Sequence, residues 1–329
     1  MSRTLGVVMD PIESITPYKD TTLAMMLAAS ARGWTIHCIE QRDIYIDKGE
    51  VFARRRKVEV FDDNDRWFTS EAPVDAPLTE NDIILMRKDP PFDMDYIYTT
   101  YLLELAAQKG VLVSNRPSSL RDVNEKLSTA GFSELCPPTL VTTSSERLKA
   151  FVEEHEDAII KPLDGMGGAG IYRLTPSDPN INIILERSTL DDSRQIMAQR
   201  YIPEIVDGDK RVLVVNGRAV PFALARIPAQ GETRGNLAAG GRGVPVPITA
   251  AEQRIVDTVA PSLLERGLMF VGLDVIGSYL TEINVTSPTC VRELDAHMQR
   301  DMTGRDYKPG IADDYLDALD ASLPKLASV

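Results

Sequence analysis

The sequence predicts an α/β protein, in which an N-terminal domain built on a parallel sheet is followed by a two-part α+β region. Three observations support this fold class. Strands and helices alternate through the first third of the chain, a glycine-rich loop separates two strands in the middle, and two strands flank Gly277 near the end. The predicted divisions are an N-terminal α/β domain over 1–120, a smaller α+β part over 121–200 and a larger one over 201–329.

The N-terminal third begins with a βαβ unit. "LGVVM" is a buried strand, the stretch from Thr21 to Arg32 has apolar residues at helical spacing and ends at Gly33, and "TIHCI" is the next strand. The elements that follow are predicted as an excursion of short strands over "IYIDKGEVFARRRKVEVF", a strand in "DIILMRKDPPF", a helix over "YIYTTYLLELAAQKG" that Gly110 ends, and a strand in "VLVSNRP" that closes the sheet.

A helix is predicted at the boundary near residue 120. Ser119 and Asp122 have the spacing of a capping box. The apolar stripe of this helix consists of Leu120, Val123, Leu127 and Ala130. Lys126 is expected on its polar side.

The segment "KPLDGMGGAG" over 161–170 is predicted to be a flap. Gly165, Gly167 and Gly170 satisfy G-x-G-x-x-G, but a second strand follows where a dinucleotide fold would have a helix. A strand, glycine loop and strand can lay backbone N–H groups over phosphates, with Lys161 as a point charge at its base. No GK[ST] follows, which excludes a Walker A loop. The alternative is a mobile surface turn.

A candidate metal site lies in "FVGLDVIGSYLTEINVTSPTCVRE". Glu282 and Asn284 are two apart on one strand and therefore project from the same face. An odd-length loop such as 277–279 would pair Asp274 with Glu282, whereas a two-residue turn would place Asp274 on the other face. Two carboxylates and an amide oxygen suit Mg²⁺. The alternative is a solvated strand face.

The long stretch "ARIPAQGETRGNLAAGGRGVP" is predicted to be a lid. It contains five glycines together with Arg226, Arg234 and Arg242, and loops of this length are usually functional or disordered. The arginines favour a lid that closes on an anionic substrate, and the alternative is a loop kept in solvent by its charges.

Composition restricts the class of partner. The formal net charge of −13 argues against nucleic acid or an anionic membrane, so anionic ligands need locally clustered arginine and lysine. No apolar run is long enough to span a bilayer and the N-terminus is not a signal peptide, so a cytoplasmic location is expected. The three cysteines and three histidines are scattered, which predicts reduced thiols and makes a hard cation held by carboxylates the expected metal.

Several motifs in order along the chain resemble those of bacterial glutathione synthetase, of the ATP-grasp superfamily. They are "MDPI", "LMRKDPPFD", "NEKL", "KPLDGMGGAGIYR", "DGDKRVLVV", "ARIPAQGETRGNLAAGGRG", "FVGLDVIG" and "LTEINVTSPTCVRE". The resemblance extends from Gly6 to about Glu293. It implies a Rossmann-like pre-ATP-grasp domain followed by a two-part ATP-grasp domain. The tail from Asp295 looks longer than the usual ending of this family.

The resemblance also implies the ligands and their residues. It assigns ATP to Lys126, Lys161, Gly165, Gly167, Gly168, Gln199, Tyr201, Ile202 and Asp209. It assigns Mg²⁺, expected as two ions that Mn²⁺ can replace, to Asp274, Glu282 and Asn284. The anion and peptide contacts are assigned to Arg211, Arg226, Arg234, Gly241, Ser287 and Thr289, the three arginines being the candidates for a catalytic role.

The implied reaction joins glycine to the C-terminal carboxylate of γ-glutamylcysteine through an acyl phosphate, giving glutathione, ADP and phosphate. The family resemblance suggests a homotetramer. Two alternatives remain: another ATP-grasp amide ligase, such as one that joins D-alanine, and a nucleotide-binding regulatory protein without turnover. The lid and "MRKDPPFD" favour the glutathione enzyme over the first, and the intact lysines and metal ligands argue against the second.

Overall fold

The structure is a computed structural model that describes residues 2–165, 167–229, 235, 240–298 and 310–323. Its strands form three sheets, which lie one after another along the sequence. No helix in these ranges is both long and apolar enough to cross a membrane. The α/β class and the order of a parallel-containing sheet before antiparallel sheets are as predicted.

The first sheet has seven strands. They are β1 (Thr4–Val8), β2 (Thr35–Asp47), β3 (Glu50–Val60), β4 (Phe68–Ser70), β5 (Val74–Pro77), β6 (Ile83–Met86) and β7 (Leu112–Ser114). The order is β4-β3-β2-β1-β6-β7, with β5 also paired to β3. β1 is parallel to both β2 and β6, and β6 is parallel to β7. The predicted βαβ start and the closing strand are therefore confirmed.

The predicted excursion of short strands is wrong in its lengths. β2 and β3 form one long antiparallel hairpin of 13 and 11 residues, which turns at Lys48 and Gly49. Both turn residues have positive φ, 49° and 79°, as a tight hairpin turn requires. The irregularity between Ile39 and Ile44 breaks the alternation in the sequence, so the pattern looked like several short strands.

Two helices cover this sheet, and both begin at an aspartate. α1 (Thr21–Ala31) is capped by Asp20, whose carboxylate accepts from Leu23 N, and α2 (Met94–Gln108) is capped by Asp93, which accepts from Tyr96 N. Such caps satisfy backbone donors that the first turn leaves unpaired. α1 ends before Gly33, as predicted.

The helix predicted from Ser119 to Ala130 is wrong. α3 (Pro117–Asp122) begins two residues earlier, with Pro117 at its first position, and it ends at Asp122. A 3₁₀ segment over Leu127–Leu135 follows, and it contains a kink at Phe132. Lys126 therefore does not lie on the polar side of a helix. Its side chain is buried and reaches the carbonyl of Gly165 instead.

The second sheet contains the glycine loop. Its strands are β8 (Thr139–Thr142), β9 (Ala158–Pro162), β10 (Tyr172–Leu174) and β11 (Ile196–Arg200), in the antiparallel order β10-β9-β11-β8. α4 (Ser145–His155) and α5 (Ile181–Thr189) pack on it. β9 and β10 are the two strands that flank the glycine segment, so the predicted hairpin is confirmed.

The third sheet is antiparallel, with the order β15-β14-β12-β16-β17 and β13 paired to β12. Its strands are β12 (Asp209–Val215), β13 (Arg218–Ala219), β14 (Phe222–Ile227), β15 (Arg242–Pro247), β16 (Phe270–Ile276) and β17 (Tyr279–Asn284). Three helices belong to this part of the chain: α6 (Ala250–Glu265), α7 (Val291–Met298) and α8 (Ile311–Ser322). α8 lies in the tail that follows Asp295, outside the motifs of the resemblance. It packs against α1, and Arg32 at the end of α1 forms ion pairs with Asp313 and Asp317.

Asn115 joins the first sheet to the third. Its Nδ2 donates to the carbonyls of Phe270 and Val285, each at 2.8 Å, and its Oδ1 accepts from Met269 N at 2.8 Å and Phe270 N at 3.0 Å. All the hydrogen-bonding capacity of this buried amide is directed at β16 and the end of β17. The carboxyl edge of the parallel sheet is thereby fixed beside the predicted metal hairpin.

Candidate functional site

A cavity of about 770 Å³ lies where the three sheets meet. Most of the predicted site residues line it: Lys126, Lys161, Gly165, Gly167, Gly168, Gln199, Tyr201, Ile202, Asp209, Arg211, Arg226, Asp274, Glu282, Asn284, Ser287 and Thr289. Gly241 does not line it, and Arg234 lies outside the described residues. The predicted lid is the connection from β14 to β15, and most of that connection also lies outside the described residues.

The hairpin of β16 and β17 pairs Asp274 with Glu282, and Gly272 with Asn284. The turn is nevertheless the two-residue type, because Ile276 pairs with Tyr279 and Val275 with Leu280. A bulge at Thr281 adds one residue to β17 and restores the register. Of the two turns that the sequence left open, the two-residue one is present, yet the bulge still brings Asp274, Glu282 and Asn284 to one face.

Four charged side chains form a buried network on β12, β14 and β16. Arg211 holds Asp274 in a bidentate pair, with Nε–Oδ1 at 2.5 Å and an Nη2–Oδ2 distance of 3.1 Å. Arg226 bridges the two aspartates, at 2.5 Å from Asp209 Oδ2 and 2.8 Å from Asp274 Oδ2. Each side chain is at most 14 % exposed, so these contacts are little screened by water.

The network drives the pKa values of its two aspartates in opposite directions. Burial would raise the pKa of Asp274, but Arg211 and Arg226 hold it well below its usual range. Burial raises the pKa of Asp209 to about 6 against the attraction of Arg226, and the charge of Asp274 adds to the rise. Asp274 is thus held as an anion, and Asp209 is the more easily protonated of the two aspartates.

Two lysines lie at the base of the flap. Lys126 Nζ donates to the carbonyl of Gly165 at 2.6 Å and lies 3.5 Å from Glu282 Oε1. Lys161 Nζ has a 3.5 Å contact with the carbonyl of Thr281, the bulge residue. Burial lowers the pKa of Lys161, an effect that Glu282 opposes. Lys161 is therefore a desolvated cation whose nearest acceptor is a carbonyl, which suits it to receive an anionic ligand.

Oxygen ligands for a hard cation are available on the hairpin. Asn284 Nδ2 donates to the carbonyl of Gly272 at 3.2 Å, and because that carbonyl can only accept, the Oδ1 of Asn284 is the atom left for a ligand. Glu282 is 22 % exposed and has Lys126 as its one ion-pair partner among the described residues. These two residues and Asp274 form a donor set that fits Mg²⁺.

A hydrophobic and amide-lined end of the cavity is formed by β11 and the residues after it. Gln199 is buried and donates to Thr139 Oγ1 at 3.1 Å, Ile202 is buried, and Tyr201 is stacked by Arg173 at 3.7 Å. Asp209 Oδ1 is buried and has no hydrogen-bond partner in the described chain. An unsatisfied buried acceptor is costly, so this atom is suited to a hydroxyl donor on a ligand.

Two residues of the cavity wall, the half-buried Glu125 and the buried Arg87, were not predicted as site residues. Glu125 Oε1 accepts from Val285 N, Thr286 N and Thr286 Oγ1 at 2.9–3.1 Å, and burial raises its pKa. Arg87 donates to Thr22 Oγ1 and to the carbonyl of Pro288. Both residues stand in motifs used for the resemblance, "NEKL" and "LMRKDPPFD". Glu125 directly precedes the predicted ligand Lys126, and Arg87 directly follows a buried strand. These positions were the signals by which the sequence could have indicated them.

The turn after β17 completes the wall. Ser287 Oγ donates to the carbonyl of Arg87 at 3.3 Å, and Thr289 Oγ1 lies 3.7 Å from Cys290 Sγ. Val291 N at the start of α7 donates to Thr21 Oγ1 at 3.3 Å, which ties this turn to the start of α1. All three cysteines are free and buried, as expected for reduced thiols.

Comparison with solved structures identifies the fold first. D-cycloserine synthetase DcsG matches with a TM-score of 0.64 at 12 % identity over 97 % of this chain and 99 % of that one. The ATP-grasp ligase PsnB with its minimal precursor matches at 0.62 and 16 % over 98 % and 99 %. D-alanyl-alanine synthetase A from Vibrio cholerae matches at 0.57 and 14 % over 97 % and 98 %. These likenesses identify the fold as that of ATP-grasp ligases.

Sequence comparison narrows the class to one family. The family model "Prokaryotic glutathione synthetase, N-terminal domain" matches residues 4–121, and "Prokaryotic glutathione synthetase, ATP-grasp domain" matches residues 125–299. Glutathione synthetase of Pseudomonas aeruginosa is 56 % identical over 98 % of this chain and 99 % of its own length, and that of Escherichia coli O127:H6 is 55 % identical over 91 % and 95 %. The chain belongs to the prokaryotic glutathione synthetase family.

Proposed function

We propose that this protein uses ATP to join glycine to the C-terminal carboxylate of γ-glutamylcysteine, forming glutathione, ADP and phosphate. Membership of the family over nearly the whole chain supports this activity. The single structural observation that carries the proposal is the meeting of the glycine flap, two lysines and an oxygen donor set in one cavity. A carboxylate is a poor electrophile, so its activation as an acyl phosphate explains why such a site is needed.

The chain's own residues bind and orient the nucleotide. Lys126 and Lys161 supply positive charge for the phosphates, and the backbone of Gly165, Gly167 and Gly168 covers them. The base fits between Gln199, Tyr201 and Ile202, and the free Oδ1 of Asp209 accepts from a ribose hydroxyl. The protein's share of phosphoryl transfer is positioning and charge stabilisation, which these contacts supply.

Asp274, Glu282 and Asn284 are the residues proposed to hold Mg²⁺, with two ions as the expected number and Mn²⁺ as a substitute. The metal would neutralise charge on the transferring phosphoryl group. In its absence Arg211 and Arg226 fix the carboxylate of Asp274, so this ligand is already oriented in the free protein.

Amide formation needs an amine that attacks before water does. Arg211 and Arg226 face the cavity and stabilise anionic oxygens there, and we assign the same role to Arg234 of the lid, with peptide contacts from Gly241, Ser287 and Thr289. A closed lid would exclude water from the acyl phosphate, which otherwise hydrolyses. No protein nucleophile is required.

The activity is tested by measuring phosphate release with γ-glutamylcysteine and glycine, with D-alanine pairs, and with no acceptor. We expect release only with the first pair, matched by glutathione formation. Equal release with D-alanine would assign the chain to another ATP-grasp ligase, and no release with any acceptor would favour a regulatory nucleotide-binding protein. We also propose that the enzyme is cytoplasmic and forms a homotetramer. Sedimentation of the purified protein tests the homotetramer directly.

A further inference from the structure

Arg87 is the most unusual charged group of the cavity wall. It follows β6 at the carboxyl edge of the parallel sheet, is 5 % exposed, and lines the cavity. Its Nε donates to Thr22 Oγ1 at 3.2 Å and its Nη2 to the carbonyl of Pro288 at 2.9 Å. Burial lowers its pKa. Both hydrogen-bond partners are neutral, and the Cζ atom lies 5.6 Å from the centroid of the Phe270 ring, so no described carboxylate contacts this cation.

No carboxylate of the described residues lies within 4.0 Å of this guanidinium. The contrast with the rest of the site is clear, because Arg211 and Arg226 are each within 2.8 Å of a carboxylate. A buried cation without a counter-ion is costly, and such groups normally are paired. The Nη1 atom of Arg87 makes no hydrogen bond to the described residues. It is not one of the fully buried atoms without a partner, so part of its surface is accessible from the cavity.

Carboxylates farther from the guanidinium also line the cavity. They are Asp20, Asp89 and Glu293, and the cation Lys19 lines it as well. Asp89 and Asp20 are the carboxylates whose charge most affects Arg87. Burial raises the pKa of Asp20, although its contact with Leu23 N at 2.6 Å opposes this rise. One cation with a free donor, flanked by carboxylates, is complementary to a carboxylate and an ammonium group on one carbon.

We propose that Arg87 binds the α-carboxylate of the γ-glutamyl residue, with Asp20 and Asp89 facing its α-ammonium group. This inference rests on the proposed function, and it names the part of the substrate that this end of the cavity recognises. Glycine is the other amino acid of the reaction, but its nitrogen must be a neutral nucleophile, and a carboxylate pair would hold it protonated and unreactive. The acidic surroundings therefore favour the γ-glutamyl end, whose amine takes no part in the reaction.

The test combines a protein change with a substrate change. Arg87→Met is assayed with γ-glutamylcysteine, with 4-aminobutanoyl-cysteine, which lacks only the α-carboxylate, and with glutaryl-cysteine, which lacks only the α-amine. For the wild type, loss of the α-carboxylate should raise KM about 10- to 100-fold, the effect of one charge-assisted contact. Arg87→Met should raise the KM of γ-glutamylcysteine by a similar factor and change that of 4-aminobutanoyl-cysteine less than 3-fold.

Controls separate this role from a structural one. Arg121→Met removes an arginine outside the cavity that pairs with Glu104, and it should leave every KM unchanged. Arg87→Lys should restore only part of the affinity, because an ammonium lacks the planar fork. The KM values of ATP and glycine should stay within about 3-fold in the Arg87 variants. With glutaryl-cysteine, which keeps the α-carboxylate, Arg87→Met should still show its full penalty.

The proposal is overturned if Arg87→Met raises KM by the same factor with γ-glutamylcysteine and with 4-aminobutanoyl-cysteine. The effects of removing the arginine and of removing the α-carboxylate would then be independent. A rise in the KM of glycine instead would place the glycine carboxylate at Arg87. If Arg87→Met does not fold, the proposal is tested by comparing the three peptides with the wild type and with Arg87→Lys. A wild-type KM for 4-aminobutanoyl-cysteine equal to that for γ-glutamylcysteine refutes the proposal. Failure of the proposed function is distinct, because the wild type would then show no turnover with γ-glutamylcysteine.

Discussion

Asp274→Asn should destabilise the protein strongly as well as inactivate it. The carboxylate is buried and accepts three charged contacts, at 2.5 and 3.1 Å from Arg211 and 2.8 Å from Arg226. The change leaves these two guanidinium groups with Asp209 as the remaining carboxylate of the network. Breaking a buried ion pair by removing one partner costs about 3–5 kcal/mol, and we expect a loss of this size.

The measurement is urea unfolding of both proteins without ligands, followed at several pH values. Asp274 has a depressed folded pKa, so its stabilising contribution is complete above the ordinary value of 3.8 and is lost as pH falls through the folded value. The gap between variant and wild type should therefore be full at pH 7 and narrow below about pH 4. A difference under 1 kcal/mol at pH 7 would show that the network does not support the fold and would refute the reasoning.

The same variant changes the titration of Asp209. Its folded pKa of about 6 is raised, so the wild type loses stability from this group as pH rises from about 4 to 6. Asp274→Asn removes a negative neighbour that helps raise this pKa and releases Arg226 to pair with Asp209 alone. We expect the pKa of Asp209 to fall, measurable by carboxyl NMR. A pKa unchanged near 6 would mean that burial alone sets it.

Three further predictions concern the flap and the metal. Lys161→Met should leave the free energy of unfolding unchanged or higher, because a desolvated cation is removed, yet weaken ATP binding at least 10-fold by calorimetry; unchanged affinity would contradict its role. Glu282→Gln should alter unfolding by less than about 1 kcal/mol but need much more Mg²⁺ and lose most turnover, and a wild-type Mg²⁺ titration would exclude it as a ligand. Gly165→Ala should reduce ATP affinity because its Cβ would lie 2.6 Å from Pro162 Cγ and displace the flap. Gly131→Ala, which has open space around the new Cβ, should leave ATP affinity unchanged. Equal ATP affinities of the two variants would show that the flap backbone does not contribute to ATP binding.

The fold class was predictable because its elements carry their own local signals. The βαβ start, the flap strands and the hairpin around Gly277 all follow from periodicity and turn residues close in sequence. The boundary helix failed for a physical reason: Pro117 starts the helix before Ser119, and Asn124 Oδ1 accepts from Lys126 N and Leu127 N, forming a local turn that competes with helix. That turn is what directs Lys126 into the cavity.

Most of the candidate site was accessible only through the resemblance. Spacing alone brought Glu282 and Asn284 to one face, but the approach of Arg211 and Arg226 to Asp274 depends on how β12, β14 and β16 align side by side. Glu125 and Arg87 were missed because each is positioned by backbone groups distant in sequence, Val285 N and the carbonyl of Pro288. Such contacts leave no periodic signal.

The hairpin of β16 and β17 shows why turn length cannot fix a register by itself. A two-residue turn at Gly277 and Ser278 would place Asp274 opposite Thr281, on the face away from Glu282, unless one residue is added to β17. The added residue is Thr281. Its hydroxyl donates to the carbonyl of Asp274 at 3.1 Å, and its own carbonyl receives Lys161. The bulge therefore does two things at once: it returns both carboxylates to one face, and it turns a backbone acceptor toward the lysine at the base of the flap.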